Sequence, residues 1–181
     1  MRRGAAQYHQ ISTVCYSFIW LRLSSPDTLL EIFGYLRALR AMKLEFHHIN
    51  FVSHDVDRLH DFYTKLLGLN DVPQEDFPRT EAKATQGYDG QIRFATDGQM
   101  QMHLAERRLD VAFTNGQVIN PVDRGHIAFR TDDIQAFLTL LKDNDIPFSD
   151  YGTSFAKNWH QVFFQDPEGN VIEVHQQVQN E

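Results

Sequence analysis

With 181 residues, 42% of them hydrophobic and 23% charged, the chain has the balance of a folded globular protein, with room for one compact domain and an appendage. A formal charge of −7, with no face or run that gathers Lys and Arg, excludes a nucleic-acid footprint, and no stretch of ~20 apolar residues offers a membrane span. One cysteine, Cys15, excludes an internal disulfide and leaves the cytoplasm as the expected setting.

Residues 1–41 read as an N-terminal extension. Met1-Arg2-Arg3 ahead of the apolar run at 11–21 has a faint likeness to a secretion signal, but Ser12, Thr13 and Ser17 interrupt the run and no small-residue cleavage site follows. Ser24-Ser25-Pro26-Asp27 opens a helical pattern carried by Leu29, Leu30, Phe33, Leu36 and Leu39, predicting a short helix over 26–39. Met42-Lys43-Leu44-Glu45 leads directly into the first strong strand, which makes Met42 the alternative start and places the domain at 42–178.

From Phe46 onward the chain is a repeat. His48-Ile49-Asn50-Phe51 matches His126-Ile127-Ala128-Phe129, and the same offset sets Asp55 over Asp133, Val56 over Ile134 and Leu59 over Phe137. Each copy is a short strand followed by a helix with apolar residues at helical spacing: Val56, Leu59, Phe62, Tyr63 and Leu66, then Ile134, Phe137, Leu138 and Leu141. Gly68 and Asn144 stand where those helices would stop. Weaker strands are expected near 71–76 and 147–151. Stronger ones are expected at 91–95 and 99–105, and again at 161–165 and 170–176 around the turn Asp166-Pro167-Glu168-Gly169. The fold class is therefore α+β, with two βαβββ modules (about 43–107 and 122–177, joined through 105–124) forming one cupped mixed sheet with helices on the outside.

Strand alternation assigns faces. Ile49 and Phe51 oppose His48 and Asn50; Met102 and Leu104 oppose Gln101 and His103; Ile127 and Phe129 oppose His126 and Ala128; Ile172 and Val174 oppose Glu173 and His175. Four times one face is apolar, and four times the other holds a metal-ligand side chain, predicting a wet concave face. A lone strand histidine is more often a surface residue; the weight comes from four candidates in repeat-equivalent places. Three imidazoles and a carboxylate suit one divalent Zn, Fe, Mn, Ni or Co ion, and suit Ca²⁺ poorly.

The remaining candidates divide as follows. Alternation puts His47 on the opposite face in a structural role. His54 and His60 are expected to be solvated, and Glu106 at the surface. His160 is a candidate acid or base, and His175 a partner of Glu173. Arg93, Arg130 and Lys157 could meet an anionic group but more simply form exposed salt bridges. Phe94, Phe155 and Trp159 are candidate pocket walls or core.

His48-Ile49 with the helix end Phe62-Tyr63-Thr64-Lys65-Leu66-Leu67-Gly68-Leu69, Gln101-Met102-His103-Leu104, Gly125-His126-Ile127-Ala128-Phe129 and Asp166-Pro167-Glu168-Gly169-Asn170-Val171-Ile172-Glu173-Val174 resemble the motifs of the vicinal oxygen chelate superfamily of glyoxalases, bleomycin-resistance proteins and extradiol dioxygenases. The resemblance covers 43–177. Carried over residue by residue, it implies His48, His103, His126 and Glu173 as metal ligands, although several known members have Glu or Gln where this chain has His103. It further implies a small-molecule substrate, a homodimer, and glyoxalase-like lyase or isomerase chemistry with Glu173 as the base. The alternatives are an Fe(II) ring-cleaving dioxygenase and a metal-free ligand-sequestering protein. No glutathione-binding set is recognisable.

Overall fold

A computed structural model describes residues 42–178. The helix expected over 26–39 and Cys15 lie outside the described residues. The first module comprises β1 (Leu44–Ser53), α1 (Val56–Asp61) running on into a π-type turn (Phe62–Leu66), β2 (Asn70–Val72), β3 (Ile92–Thr96) and β4 (Gln101–Glu106). After a connector holding the short α2 (Val111–Thr114), the second comprises β5 (His126–Thr131), α3 (Ile134–Asp143), β6 (Phe148–Gly152), β7 (Trp159–Gln165) and β8 (Val171–Gln177).

The strands make one eight-stranded mixed sheet in the order β2-β3-β4-β1-β5-β8-β7-β6. β1 runs parallel to β4 and β5 parallel to β8; the modules are joined within one chain by antiparallel pairing of β1 with β5, from Leu44↔Thr131 to Asn50↔His126. The repeat recurs in the helix starts. Asp55 accepts a bond from the Arg58 amide at 3.0 Å, and its equivalent Asp133 accepts one from the Ala136 amide at 2.9 Å, each meeting a donor the first turn leaves free.

The outer face of the second module is sealed by α3, whose Ile134, Phe137, Leu138 and Leu141 pack on Val162 and Val174. Each such fully buried side chain stabilises the fold by roughly 1.5–3 kcal/mol. In the first module α1 buries only Val56 completely. Phe46, Leu66 and Leu67 remain 64%, 70% and 56% exposed.

Two expectations need correction. The sheet is cupped as expected, but its concave face is not wet: Tyr88, Ile119 and Val122 from the covering loops and Val111 from α2 pack on Ala105, Tyr151, Phe163 and Val171 of the sheet, and His48 and Glu173 are each only 1% exposed. The inner-facing positions Ala105, Phe163 and Val171 are apolar, so burying them under the loops is favourable, and the polar residues beside them are carried inside. His47, in turn, does not point away from His48. The β1–β5 register shifts between Phe46↔Phe129 and His48↔Ala128, so β1 holds one extra residue, His47, in a bulge. A bulge breaks the two-residue alternation, and the His47 ring lies 5.2 Å from that of His48.

Candidate metal centre

The four central strands, β4-β1-β5-β8, each bring at least one ligand-type residue to the inner face; β1 and β8 also bring His47 and His175, whose ring nitrogens group with His48. Ala128 faces His48 across one strand boundary and Glu173 across the other. Its methyl group leaves space over β5 for those longer side chains to lean together. His126, two residues earlier on β5, completes a triad. Its Nε2 lies 3.0 Å from Glu173 Oε2 and 3.4 Å from His48 Nε2, and His48 Nε2 lies 3.6 Å from Glu173 Oε2. Donors that each sit roughly 2.1 Å from one ion are separated by roughly 3.0 Å at right angles and roughly 3.4 Å at the tetrahedral angle. The donor atoms of His48, His126 and Glu173 therefore fit a single small divalent cation.

The surrounding hydrogen bonds prepare two of the three candidate ligands. His126 Nδ1 donates to the Pro121 carbonyl at 2.8 Å, which leaves Nε2 as the lone-pair nitrogen. Glu173 Oε1 is held by His175 Nδ1 at 2.8 Å and Gln161 Nε2 at 3.1 Å, freeing Oε2. His48 is different. Arg130 can only donate, and its Nη2 sits 2.7 Å from His47 Nε2. A neutral His47 then carries its proton on Nδ1 and donates to His48 Nδ1 at 2.9 Å, which places the His48 proton on Nε2. Binding a cation through that nitrogen requires the proton to leave or Arg130 to turn away from His47.

Burial sets the protonation of this layer. Desolvation, helped by the neighbouring imidazoles, lowers His47 to about 3; burial lowers His48 to about 4 despite Glu173, and it drives His103 far down. Burial alone would raise Glu173, but His48, His126 and His175 outweigh it and hold the carboxyl well below the usual carboxylate range.

His103 is the expected ligand that the triad leaves aside. Its ring stacks on His48 with centroids 3.6 Å apart and planes 13° from parallel, and its Nε2 lies 3.4 Å from Gln101 Oε1. Planes so nearly parallel do not meet within bonding reach of either ring, so His103 must turn out of the stack before it can share an ion with His48. His160 is not brought to the site: it binds Asp150 Oδ1 at 2.8 Å, whereas its neighbours Trp159 and Gln161 line the pocket. His60, expected to be solvated, has a side chain only 12% exposed and meets Asp71 Oδ1 at 2.7 Å. His54 is exposed, and Arg93 forms the expected surface pair with Asp57.

The triad opens into a narrow pocket with an interior volume of about 80 Å³. Phe94, Phe155 and Trp159 wall it, as does Phe77 from the covering loop. Sequence reasoning missed Arg79 and Tyr88 in this pocket, because loop residues have no periodicity from which a direction can be read. Gln161 and Asn50 were legible as inward-facing, but amides on a strand carry no distinguishing signal. Among the described residues, no helix is long and apolar enough to cross a membrane.

Comparison with known proteins agrees with this fold. Residues 45–174 match the profile of the Glyoxalase/Bleomycin resistance protein/Dioxygenase superfamily. A lactoylglutathione lyase of Pseudomonas putida is 29% identical over 147 residues, covering 71% of this chain and 83% of that protein. Among solved structures, a hypothetical protein from Bacillus halodurans C-125 superposes with a TM-score of 0.53 at 14% identity, covering 77% of this chain and 98% of the other. Methylmalonyl-CoA epimerase from Mycobacterium tuberculosis does so with a TM-score of 0.51 at 13% identity, covering 74% and 88%. At these identities the superpositions speak for the fold alone, and it is the profile, spanning both modules, by which this chain belongs to the Glyoxalase/Bleomycin resistance protein/Dioxygenase superfamily.

Proposed function

We propose that the protein is a divalent-metal-dependent, glyoxalase-like lyase or isomerase acting on a small substrate with vicinal oxygens. The observation that carries this reading is the triad of donor atoms 3.0–3.6 Å apart at the base of a ring-lined pocket. His48, His126 and Glu173 would hold the ion, and His103 would join them after turning out of its stack. The ion, when bound, supplies Lewis-acid polarisation and stabilises negative charge developing on substrate oxygens. Phe77, Phe94, Phe155 and Trp159 exclude water and fix the substrate's orientation. Glu173 is the group proposed to take the proton next to the carbonyl. Its depressed pKa makes it a weak base while all its partners are in place, so proton abstraction requires Oε2 to move away from the imidazoles. No catalytic role is proposed for His160, which faces Asp150 instead.

One feature favours a second reading. Two histidines and one carboxylate on one face, with His103 stacked aside, match the ligand set of Fe(II) ring-cleaving dioxygenases. Elemental analysis of the purified protein beside His126→Ala tests the metal claim: the expectation is one divalent ion per chain in the parent and none in the variant, and full retention in the variant would sink both readings. Absorbance change on hemithioacetals against oxygen uptake on catechols then separates lyase from dioxygenase. A homodimer is proposed from the largely exposed Phe62, Leu66 and Leu67, which a monomer would leave wet, and light scattering checks it. The single cysteine supports a cytoplasmic setting.

A further inference from the structure

We infer that Arg79 is an anion subsite in the metal pocket, and that the substrate carries a carboxylate for it. The inference rests on the proposed function, since it places that carboxylate in the pocket where the vicinal oxygens would bind. Arg79 lies in the loop that roofs the concave face, where its backbone bridges to Ala156, and its side chain lines the same pocket as His48, His126 and Glu173. Its Nη1 donates to the Gly90 carbonyl at 2.8 Å and its Nη2 to the Tyr88 carbonyl, and its guanidinium carbon lies 5.1 Å from the centre of the Tyr88 ring. The two carbonyls and the ring fix the direction of the fork.

No carboxylate lies within ion-pair distance of Arg79 among the described residues, whereas Arg93, Arg107 and Arg108 each have one. Arg79 is also desolvated enough for burial to lower its pKa. A guanidinium always carries charge and has five donors, of which two are used here. Asp89 acts on it only at a distance and is itself paired with Arg108, so taking such a charge partly out of water is costly unless a closer partner arrives. Among the described residues the pocket walls are mostly rings and aliphatic groups, and the carboxylate that lines it, Glu173, is held by His126 and His175, so a carboxylate on the ligand is the partner that fits. A planar carboxylate fits the fork in a bidentate manner.

The test uses the full chain, as purified and after removal of metal by a chelator, titrated with benzoate and with neutral benzamide. Trp159, which lines the pocket, reports binding by its fluorescence. The expected result is that benzoate binds at least about tenfold more tightly than benzamide in both forms, the advantage of one charge-assisted pair. Arg79→Met abolishes that preference in the metal-free form and leaves the metal content of the purified form unchanged, and Arg79→Lys, which retains the charge, keeps part of it. If Arg79 only clamps the loop, Arg79→Met weakens both probes alike. A benzoate preference that survives in folded, metal-free Arg79→Met, or its absence from the parent in both forms, overturns the inference. Because the metal-free arm does not depend on the ion, failure of the metal reading and failure of the anion subsite give different results.

Discussion

Gly125 touches no ligand, yet the structure makes it decisive for the centre. It precedes His126 on β5 with φ of +83°, and a Cβ there would stand 2.3 Å from the Asn50 carbonyl oxygen on β1. Asn50 is the register partner of His126. Gly125→Ala therefore meets two costs. Left-handed backbone costs a residue with a Cβ roughly 1–2 kcal/mol. The clash must open from 2.3 Å to beyond 3.0 Å, about 0.7 Å of movement between backbones that the β1–β5 ladder holds in place. Overpacking of that kind costs about 1–3 kcal/mol, so the total destabilisation is about 2–5 kcal/mol. Metal bonds tolerate only about 0.2 Å, so displacing His126 relative to His48 also weakens binding at least about tenfold. Urea unfolding of the metal-free protein reads the first effect, and metal titration reads the second. Gly116→Ala is the control: its φ is +63° but nothing lies within 4 Å of the added carbon, so it loses about 1–2 kcal/mol and binds metal normally. A Gly125→Ala protein with the parental urea midpoint would refute the steric argument. One that is destabilised but binds metal with full affinity would refute the link to His126.

Four further outcomes follow from the same geometry. Gln161→Leu removes one of the two bonds that orient Glu173 and should weaken metal binding about ten- to a hundredfold in equilibrium dialysis, with no affinity change counting against that role. His103→Ala should lower affinity yet leave a bound ion, whereas His126→Ala should lose it; complete loss in both would make His103 an equal ligand. Arg130→Gln frees His47 to switch tautomer, so metal uptake at neutral pH should rise, and unchanged uptake by the folded variant would contradict the donor chain through His47. Burial holds His47 and His48 neutral down to about 3 and about 4, whereas the unfolded chain protonates them near 6.5. Between those values the unfolded state binds more protons, so stability rises with pH. The urea midpoint of the metal-free protein should be level above pH 6.5 and fall as the pH drops toward 4, less steeply in His47→Gln. A midpoint that stays flat or climbs through that window would defeat the argument.

The sequence carries the architecture because the repeat carries it. Asp55 with Asp133 and Val56 with Ile134 each do the same work in both modules, and alternation correctly sends His48, His103, His126 and Glu173 inward. Alternation fails at His47 because a bulge adds one residue to β1, and nothing in Glu45-Phe46-His47-His48 marks where the ladder slips. The wet-cup expectation fails for a different reason. The roof is made of loop residues such as Tyr88, Ile119 and Val122, whose apolar character is visible in sequence but whose destination is set by long-range packing. Arg79 was out of reach on both counts: it sits in a loop, and its significance lies in a missing counter-ion, which only the folded arrangement reveals.

The charge of the centre ties these observations together. A divalent ion held by neutral imidazoles and the one carboxylate of Glu173 keeps a net charge of about +1. A Glu at the position of His103 would cancel that charge. Histidine leaves it in place, and Arg79 adds a second positive charge to the same ring-lined pocket, in a chain whose overall charge is −7. At an effective dielectric of about 20, two unit charges 4 Å apart interact by about 4 kcal/mol. The sign of the ligand therefore weighs as much as its shape. On the proposed function, such a site is expected to favour substrates that bring negative charge with their vicinal oxygens over amine-bearing analogues of the same size, with His103 and Arg79, one legible in the sequence and one hidden in a loop, selecting in the same direction.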